Sequence, residues 1–313
     1  MRRDKDKKNL SDDFEEEHEH ISQYGAILGP MIALSIVLIL GSLFLLYARK
    51  FPKTKMHWPE FTRTEEKSAS DNIIIEPNSE LKEAYKNGTK EDVDQALFHQ
   101  YRDINDECVG VIRIEGTVLN HPLMQSPKNE AFYLSHDIYK EKNGHGIPFM
   151  TVNSDLSKND RNNIIYGHNM RWEQKDVFYA LAGYESLEYY KEHPIIDIVV
   201  EGQTLHYIVF AYFISDNADQ DAFRYWQTSY WGSDAQFQAY LNEVYKRNWL
   251  FTDLPVESND YFITLSSCSM ELSGSGTNRM VVMARRIRPE EDYQRYIDTT
   301  TMKASPLLPE KLR

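Results

Sequence analysis

The sequence predicts a mainly β domain, a barrel or a sandwich, carried behind a single membrane-spanning helix. Short apolar runs from Val109 to Arg286, rich in Val, Ile, Tyr and Phe, have strand length and strand composition. Between them lies one strongly marked helix, and ahead of them all residues 24–48 contain no charged side chain. With 41% hydrophobic and 12% aromatic residues, the 313-residue chain is able to bury a core, which argues against disorder throughout.

From the N-terminus, residues 1–23 form a charged tail and residues 24–48 an uncleaved anchor. At a rise of 1.5 Å per residue the anchor reaches about 37 Å, enough to cross a bilayer with some tilt. A cleavable signal peptide has a shorter apolar core, and Leu46-Tyr47-Ala48 is a poor small-x-small cleavage site. Orientation is not set by charge, because Arg2, Arg3, Lys5, Lys7 and Lys8 precede the span while Arg49, Lys50, Lys53 and Lys55 follow it. The stretch Glu15-Glu16-Glu17-His18-Glu19-His20 reads as a solvated charge run; no second ligand cluster accompanies its His-x-His. Residues 49–78, with Pro52, Pro59 and Pro77 among charged and hydroxyl side chains, read as a stalk.

The folded domain is expected at 79–288, followed by a peripheral tail at 289–313. Leu81, Ala84 and Tyr85 have helical spacing, and Thr89-Lys90-Glu91-Asp92 opens a second helix before Val93, Ala96 and Leu97. Strands follow at Val109–Ile114, Ile164–Tyr166, Ile195–Val200, Thr204–Ile214, Tyr261–Leu265 and Met280–Arg286, with Glu201-Gly202-Gln203 as a hairpin link. A first helical insertion centres on Val177, Phe178, Leu181 and Tyr184 and stops at His193-Pro194. The second, 234–248, starts at the capping box Ser233-Asp234-Ala235-Gln236 and continues with Phe237, Leu241 and Val244 on one face.

Net charge is −13, and nothing in its distribution favours nucleic acid. Two cysteines, Cys108 and Cys268, exclude a disulfide framework. Cys108 in Cys108-Val109-Gly110-Val111 reads as a small buried hydrophobe. Cys268 ends the run Ile263-Thr264-Leu265-Ser266-Ser267-Cys268 and opens a Ser/Gly-rich segment, where a strand gives way to a loop. His168 ends Ile164-Ile165-Tyr166-Gly167 in the same way, and Arg279 stands just before Met280-Val281-Val282. A thiol, an imidazole and a guanidinium at strand ends are the groups needed to attack an acyl carbon and stabilise the oxyanion. Taken singly, each has an ordinary structural explanation: a core thiol, a loop histidine among ten, a solvated arginine beside Arg285, Arg286 and Arg288.

Together, Ile165-Tyr166-Gly167-His168-Asn169-Met170, Thr264-Leu265-Ser266-Ser267-Cys268 and Arg279-Met280-Val281-Val282 resemble, in order and spacing, the three active-site motifs of the sortases, membrane-anchored transpeptidases of Gram-positive bacteria. Gly110-Val111-Ile112 through His121-Pro122-Leu123, and Phe132-Tyr133-Leu134-Ser135-His136-Asp137, look like the early barrel of that family, so the resemblance spans residues 80–288. Leading helices at 79–104 and the helix at 234–248 are similar to those of class B.

The resemblance implies a closed barrel of about eight strands. It makes Cys268 the nucleophile, His168 the general acid and base, and Arg279 the group that orients substrate and stabilises the oxyanion. Ser266 and Ser267, beside the nucleophile, become the substrate-binding candidates; the family usually has Thr where Ser267 stands, which predicts tuned specificity. It further implies surface proteins bearing a sorting motif resembling Leu-Pro-x-Thr-Gly or Asn-Pro-x-Thr-Asn, cut after Thr and joined to a peptidoglycan-precursor or pilin amine. The resemblance also sets the orientation: the tail 1–23 would be cytoplasmic, the stalk 49–78 extracellular, and the catalytic domain would face outward from the cell membrane. No cofactor is expected, and no dense carboxylate loop asks for calcium. A pilus-assembling sortase, a thiol protease and a catalytically silent wall-binding ectodomain are the other readings. Tyr184, Trp226 and Trp231 qualify as groove residues only by being aromatic.

Overall fold

The computed structural model describes residues 75–312 apart from 157–160, 170–176, 219–222, 228–230 and 269–276. The predicted tail, anchor and most of the stalk, with the His-x-His motif, lie outside the described residues. Among the described residues no helix is long and apolar enough to cross a membrane.

Two helices lead the domain, α1 (Ser79–Asn87) and α2 (Lys90–Ile104). Asn78 caps the first by accepting from the Leu81 amide, and Thr89 and Asp92 form a reciprocal capping box on the second. Eight strands then close into a barrel: β1 (Cys108–Arg113), β2 (Asn120–Met124), β3 (Phe149–Met150), β4 (Asn162–Gly167), β5 (Ile195–Val200), β6 (Gln203–Asp216), β8 (Phe262–Cys268) and β9 (Asn278–Arg286). Around the barrel the order is β1-β2-β3-β4-β8-β9-β6-β5. Closure removes the exposed edges that an open sheet would present, and it settles the choice between barrel and sandwich. A two-residue strand β7 (Leu250–Phe251) pairs with β10 (Thr301–Met302) outside the barrel.

The strand boundaries follow the sequence expectation closely, with β5 matching it at both ends. The β5–β6 hairpin turns at Gly202, whose φ of +74° is the left-handed geometry that favours glycine. β2 is not among the strands that composition predicts, although its segment belongs to the early barrel of the resemblance; Pro122 in its middle pairs with Val111 of β1. The first insertion forms a 3₁₀ stretch, Tyr179–Glu185, and then a short helix α3 (Leu187–Glu192), rather than one helix. In the second, α4 (Asp234–Arg247), Ser233 accepts from the Gln236 amide, but the Gln236 side chain accepts from Gly232 instead of Ser233. The expected box is therefore displaced by one residue on its return bond.

The C-terminal segment is not peripheral, which corrects the expected tail. Helix α5 (Gln294–Thr299) buries Tyr296 and Ile297, Thr300 reaches Tyr190 across 3.4 Å, and Lys303 caps carbonyls of α4 at Tyr245 and Lys246. Scattered apolar positions separated by prolines hide this packing from a periodicity analysis, because each contact uses one or two residues.

Cys108 is 1% exposed and carries a free thiol that donates toward the Gly110 carbonyl at 3.3 Å. Burial pushes that thiol up to about 12, so it stays protonated and unreactive.

A buried ionic network fastens α2 to the barrel. Arg113 grips Asp94 through two bonds of 2.6 and 2.9 Å and reaches Asp197 at 3.1 Å; Lys90 and His206 also contact Asp197, at 3.4 and 2.7 Å. Burial works to raise the Asp197 carboxyl, yet its bond from His206 and its bond from Arg113 hold it below the ordinary value of 3.8. The same bond to Asp197 raises His206 above 6.5 against partial burial. Asp197 thus contributes stability above 3.8 and loses it as pH falls through its lower folded value. His206 contributes fully below 6.5 and loses its part as pH rises through its higher folded value. We expect the difference in melting temperature between wild type and His206→Gln to be positive at about pH 6 and to shrink toward pH 9. Because half of the His206 side chain is exposed, the stability difference behind it is under about 1 kcal/mol. A gap that stays constant across that range in thermal melts would show that the ion pair is not its source.

Candidate active site

Three strand termini meet at one end of the barrel. β4 and β8 run parallel, in a register that ends with Gly167 opposite Ser267. Parallel neighbours point their C-termini the same way, so the residues that follow, His168 and Cys268, sit side by side along the sheet. β9 runs antiparallel to β8 and begins at this end, with Arg279 paired to Cys268. The structure therefore brings together the three residues singled out in the sequence although more than a hundred positions separate His168 from Arg279.

His168 is held by its backbone and by its ring. Its carbonyl accepts from the Phe178 amide at 3.0 Å, and its Nε2 lies 2.9 Å from the Leu134 carbonyl. Gly167 before it has no room for a side chain: an added Cβ would come within 2.8 Å of the fully buried Phe178 ring and 2.9 Å of Val177. That close approach is the reason glycine precedes the histidine. Arg279 is half-buried and donates to the Asn278 carbonyl at 2.9 Å. The phenol of nearby Tyr166 is raised by burial and by Glu130, and the positive charge of Arg279 opposes that rise.

One face of β4 and β8 is covered by the insertion between β6 and β7. Thr264 donates to Asn162 across the strands at 2.7 Å, Asn162 reaches the Tyr240 hydroxyl of α4 at 3.4 Å, and Tyr240 donates to the Tyr225 carbonyl at 3.4 Å. Tyr225, in the 3₁₀ turn Tyr225–Gln227, places its own hydroxyl 2.7 Å from Ser266 Oγ. These bonds tie the insertion to the strands that end in His168 and Cys268.

Ser266 is 3% exposed and engaged with Tyr225, while Ser267 is 1% exposed with a hydroxyl that has no partner among the described residues. Successive strand residues face opposite sides, so the pair does not form one polar surface. Both hydroxyls are buried. The Asn169 side-chain oxygen and both side-chain amide atoms of Asn278 are likewise buried without a hydrogen-bond partner among the described residues. Of the three aromatic candidates, Tyr184 is fully buried with its hydroxyl on the His193 carbonyl, and Trp231 packs between Phe237 and Phe262, whereas Trp226 is half-buried beside Tyr225.

Leu134 and Tyr225 were missed. Leu134 acts through its main-chain carbonyl, on which sequence is silent, and Tyr225 is one of 20 tyrosines with no local mark of its position.

No protein-family model matches the chain. Sortase B of Staphylococcus aureus (strain NCTC 8325 / PS 47) is 29% identical over 191 residues, which cover 61% of this chain and 75% of the relative. The solved Staphylococcus aureus sortase B–substrate complex superposes with a TM-score of 0.56 at 26% identity, covering 67% of this chain and 93% of that one. A crystal structure of sortase B complexed with triglycine gives a TM-score of 0.54 at 28% identity, covering 63% of this chain and 87% of that one. In sequence and in fold the chain is similar to class B sortases.

Proposed function

We infer that this homologue of the class B sortases is a cysteine transpeptidase that anchors surface proteins, with Cys268, His168 and Arg279 as its catalytic residues. The observation that carries the reading is the meeting of those three positions at adjacent ends of β4, β8 and β9. Cys268 attacks the carbonyl carbon of the scissile peptide bond, and Arg279 stabilises the oxyanion of the tetrahedral intermediate. A nearby guanidinium or imidazolium favours the thiolate, since an ordinary thiol is mostly protonated at neutral pH. His168 gives a proton to the departing amine, leaving the acyl group on sulfur as a thioester. An incoming amine then attacks the thioester, His168 takes up its proton, and the new amide leaves.

Substrates of this kind are surface proteins that end in a sorting motif, a reading supported by the substrate complex of the Staphylococcus aureus relative. A glycine-type amine of the cell wall is the acceptor that the triglycine-bound relative supports. The uncharged segment 24–48 serves as the anchor, with the catalytic domain on the outer face of the cell membrane, where both substrates meet.

The full-length chain, incubated with a library of sorting peptides and with triglycine, is expected to yield the cleaved peptide joined to triglycine, identified by mass spectrometry. Hydrolysed peptide alone in excess amine would replace transpeptidation with proteolysis. Identical turnover by wild type and Cys268→Ala across the library would end the reading altogether.

A further inference from the structure

We propose that the Leu134 carbonyl positions the His168 imidazole as its Nε2–H tautomer, that Nδ1 therefore carries the proton moved during acyl transfer, and that Gly146 keeps this carbonyl in place. The proposal rests on the assignment of His168 as the acid and base.

A carbonyl oxygen only accepts hydrogen bonds, so the 2.9 Å contact between His168 Nε2 and the Leu134 carbonyl requires a proton on Nε2. The neutral ring then has its lone pair on Nδ1, and the imidazolium keeps the Nε2 bond unchanged. Proton traffic passes through Nδ1: its lone pair takes the thiol proton to give thiolate and imidazolium, and the imidazolium returns the proton to the departing amine nitrogen. The ring does not need to turn between these steps, which spares reorganisation at the reacting centre.

Leu134 closes a 3₁₀ turn, Phe132–Leu134, whose position is fixed by the segment that returns beside it. Asn143 donates to the Ser135 carbonyl at 2.9 Å and Ile147 to the Tyr133 carbonyl at 3.0 Å. Between these bonds Gly146 adopts φ +59° and lies against the turn; a Cβ there would sit 2.6 Å from both the Leu134 and Tyr133 oxygens. Any side chain at 146 must push the carbonyl that holds His168. Gly202 offers a matched contrast, with φ +74° but nothing within 4 Å of an added Cβ.

The test uses the full-length chain labelled with ¹⁵N-histidine, in which two-bond couplings report the tautomer of neutral His168. Wild type is expected to be protonated on Nε2. Gly146→Ala is expected to raise the Nδ1–H fraction and lower kcat about ten- to a hundredfold with KM within about twofold. Gly202→Ala, equally strained, is expected to keep wild-type values of both. Should Gly146→Ala fail to fold, an ester in place of the Ser135 amide weakens the Leu134 carbonyl as an acceptor without adding atoms, at the cost of one 3.3 Å bond to the Phe132 carbonyl. It is expected to move tautomer and kcat the same way. Neutral His168 protonated on Nδ1 in wild type overturns the proposal, as does a wild-type tautomer and kcat in folded carriers of these changes. Inactivity on every sorting peptide would instead refute the functional assignment and leave the tautomer measurement standing.

Discussion

Cys268→Ala is expected to lower transpeptidation by at least about a thousandfold, the range seen when a covalent nucleophile is removed. Without sulfur there is no thioester, and the remaining groups only bind peptide and polarise its carbonyl. Cys268 is the last residue of β8, so alanine keeps the strand register with Arg279 and the melting temperature is expected to change little. The measurement is steady-state turnover of a fluorogenic sorting peptide, with mass spectrometry of the protein after quenching. Wild type should accumulate a species heavier by the acyl fragment, and Cys268→Ala should not. Cys108→Ala serves as the control: its thiol is buried and protonated, so activity and labelling should match wild type. An acylated species that persists in Cys268→Ala would place the nucleophile elsewhere.

Much of this site was legible before any fold was known, for a physical reason. Strand ends are where a chain can present a reactive group without disturbing a core, and each of the three motifs couples an apolar run to one such group. Their order and spacing turned three ambiguous residues into one arrangement, and the parallel pairing of β4 with β8 supplies the geometry. Ser266 and Ser267 show the opposite case. The sequence does not show which way each hydroxyl faces: a strand sends neighbours to opposite faces, and both are buried. The Leu134 carbonyl was invisible for a simpler reason: a backbone acceptor is the same at every position, so only folding gives it identity.

The barrel itself was legible through β5, β6, β8 and β9, whose apolar runs are long enough to show strand composition. It was less so through β2, interrupted by Pro122, and β3, which has two residues, as has β7 outside the barrel. Such short pieces acquire their conformation from a neighbour's free hydrogen-bonding edge rather than from their own composition. The buried charges were equally hidden, since Asp94, Arg113 and Asp197 read in sequence as ordinary polar positions.

Arg113→Ala is expected to cause the largest loss of stability, about 3–5 kcal/mol. Asp94 and Asp197 have side chains only 3% and 7% exposed, and the Arg113 guanidinium is the group that bonds both. Removing it leaves two carboxylates facing each other out of reach of water, with Lys90 and His206 compensating only at Asp197. A loss of that size is a large share of the 5–15 kcal/mol that holds a typical domain, and lowers the melting temperature by about 10 °C. Arg113→Lys should recover part of it, because an ammonium restores the charge but not the two-pronged grip on Asp94. β1 stands four places from β8, the strand that ends in Cys268, in either direction around the barrel. Turnover per folded molecule should therefore stay near wild type below the melting transition, so that thermal unfolding and kinetics separate cleanly. A melting temperature within about 2 °C of wild type would mean that water or a shifted lysine replaces the guanidinium, and the network would then count as a fastening of α2 rather than a source of net stability.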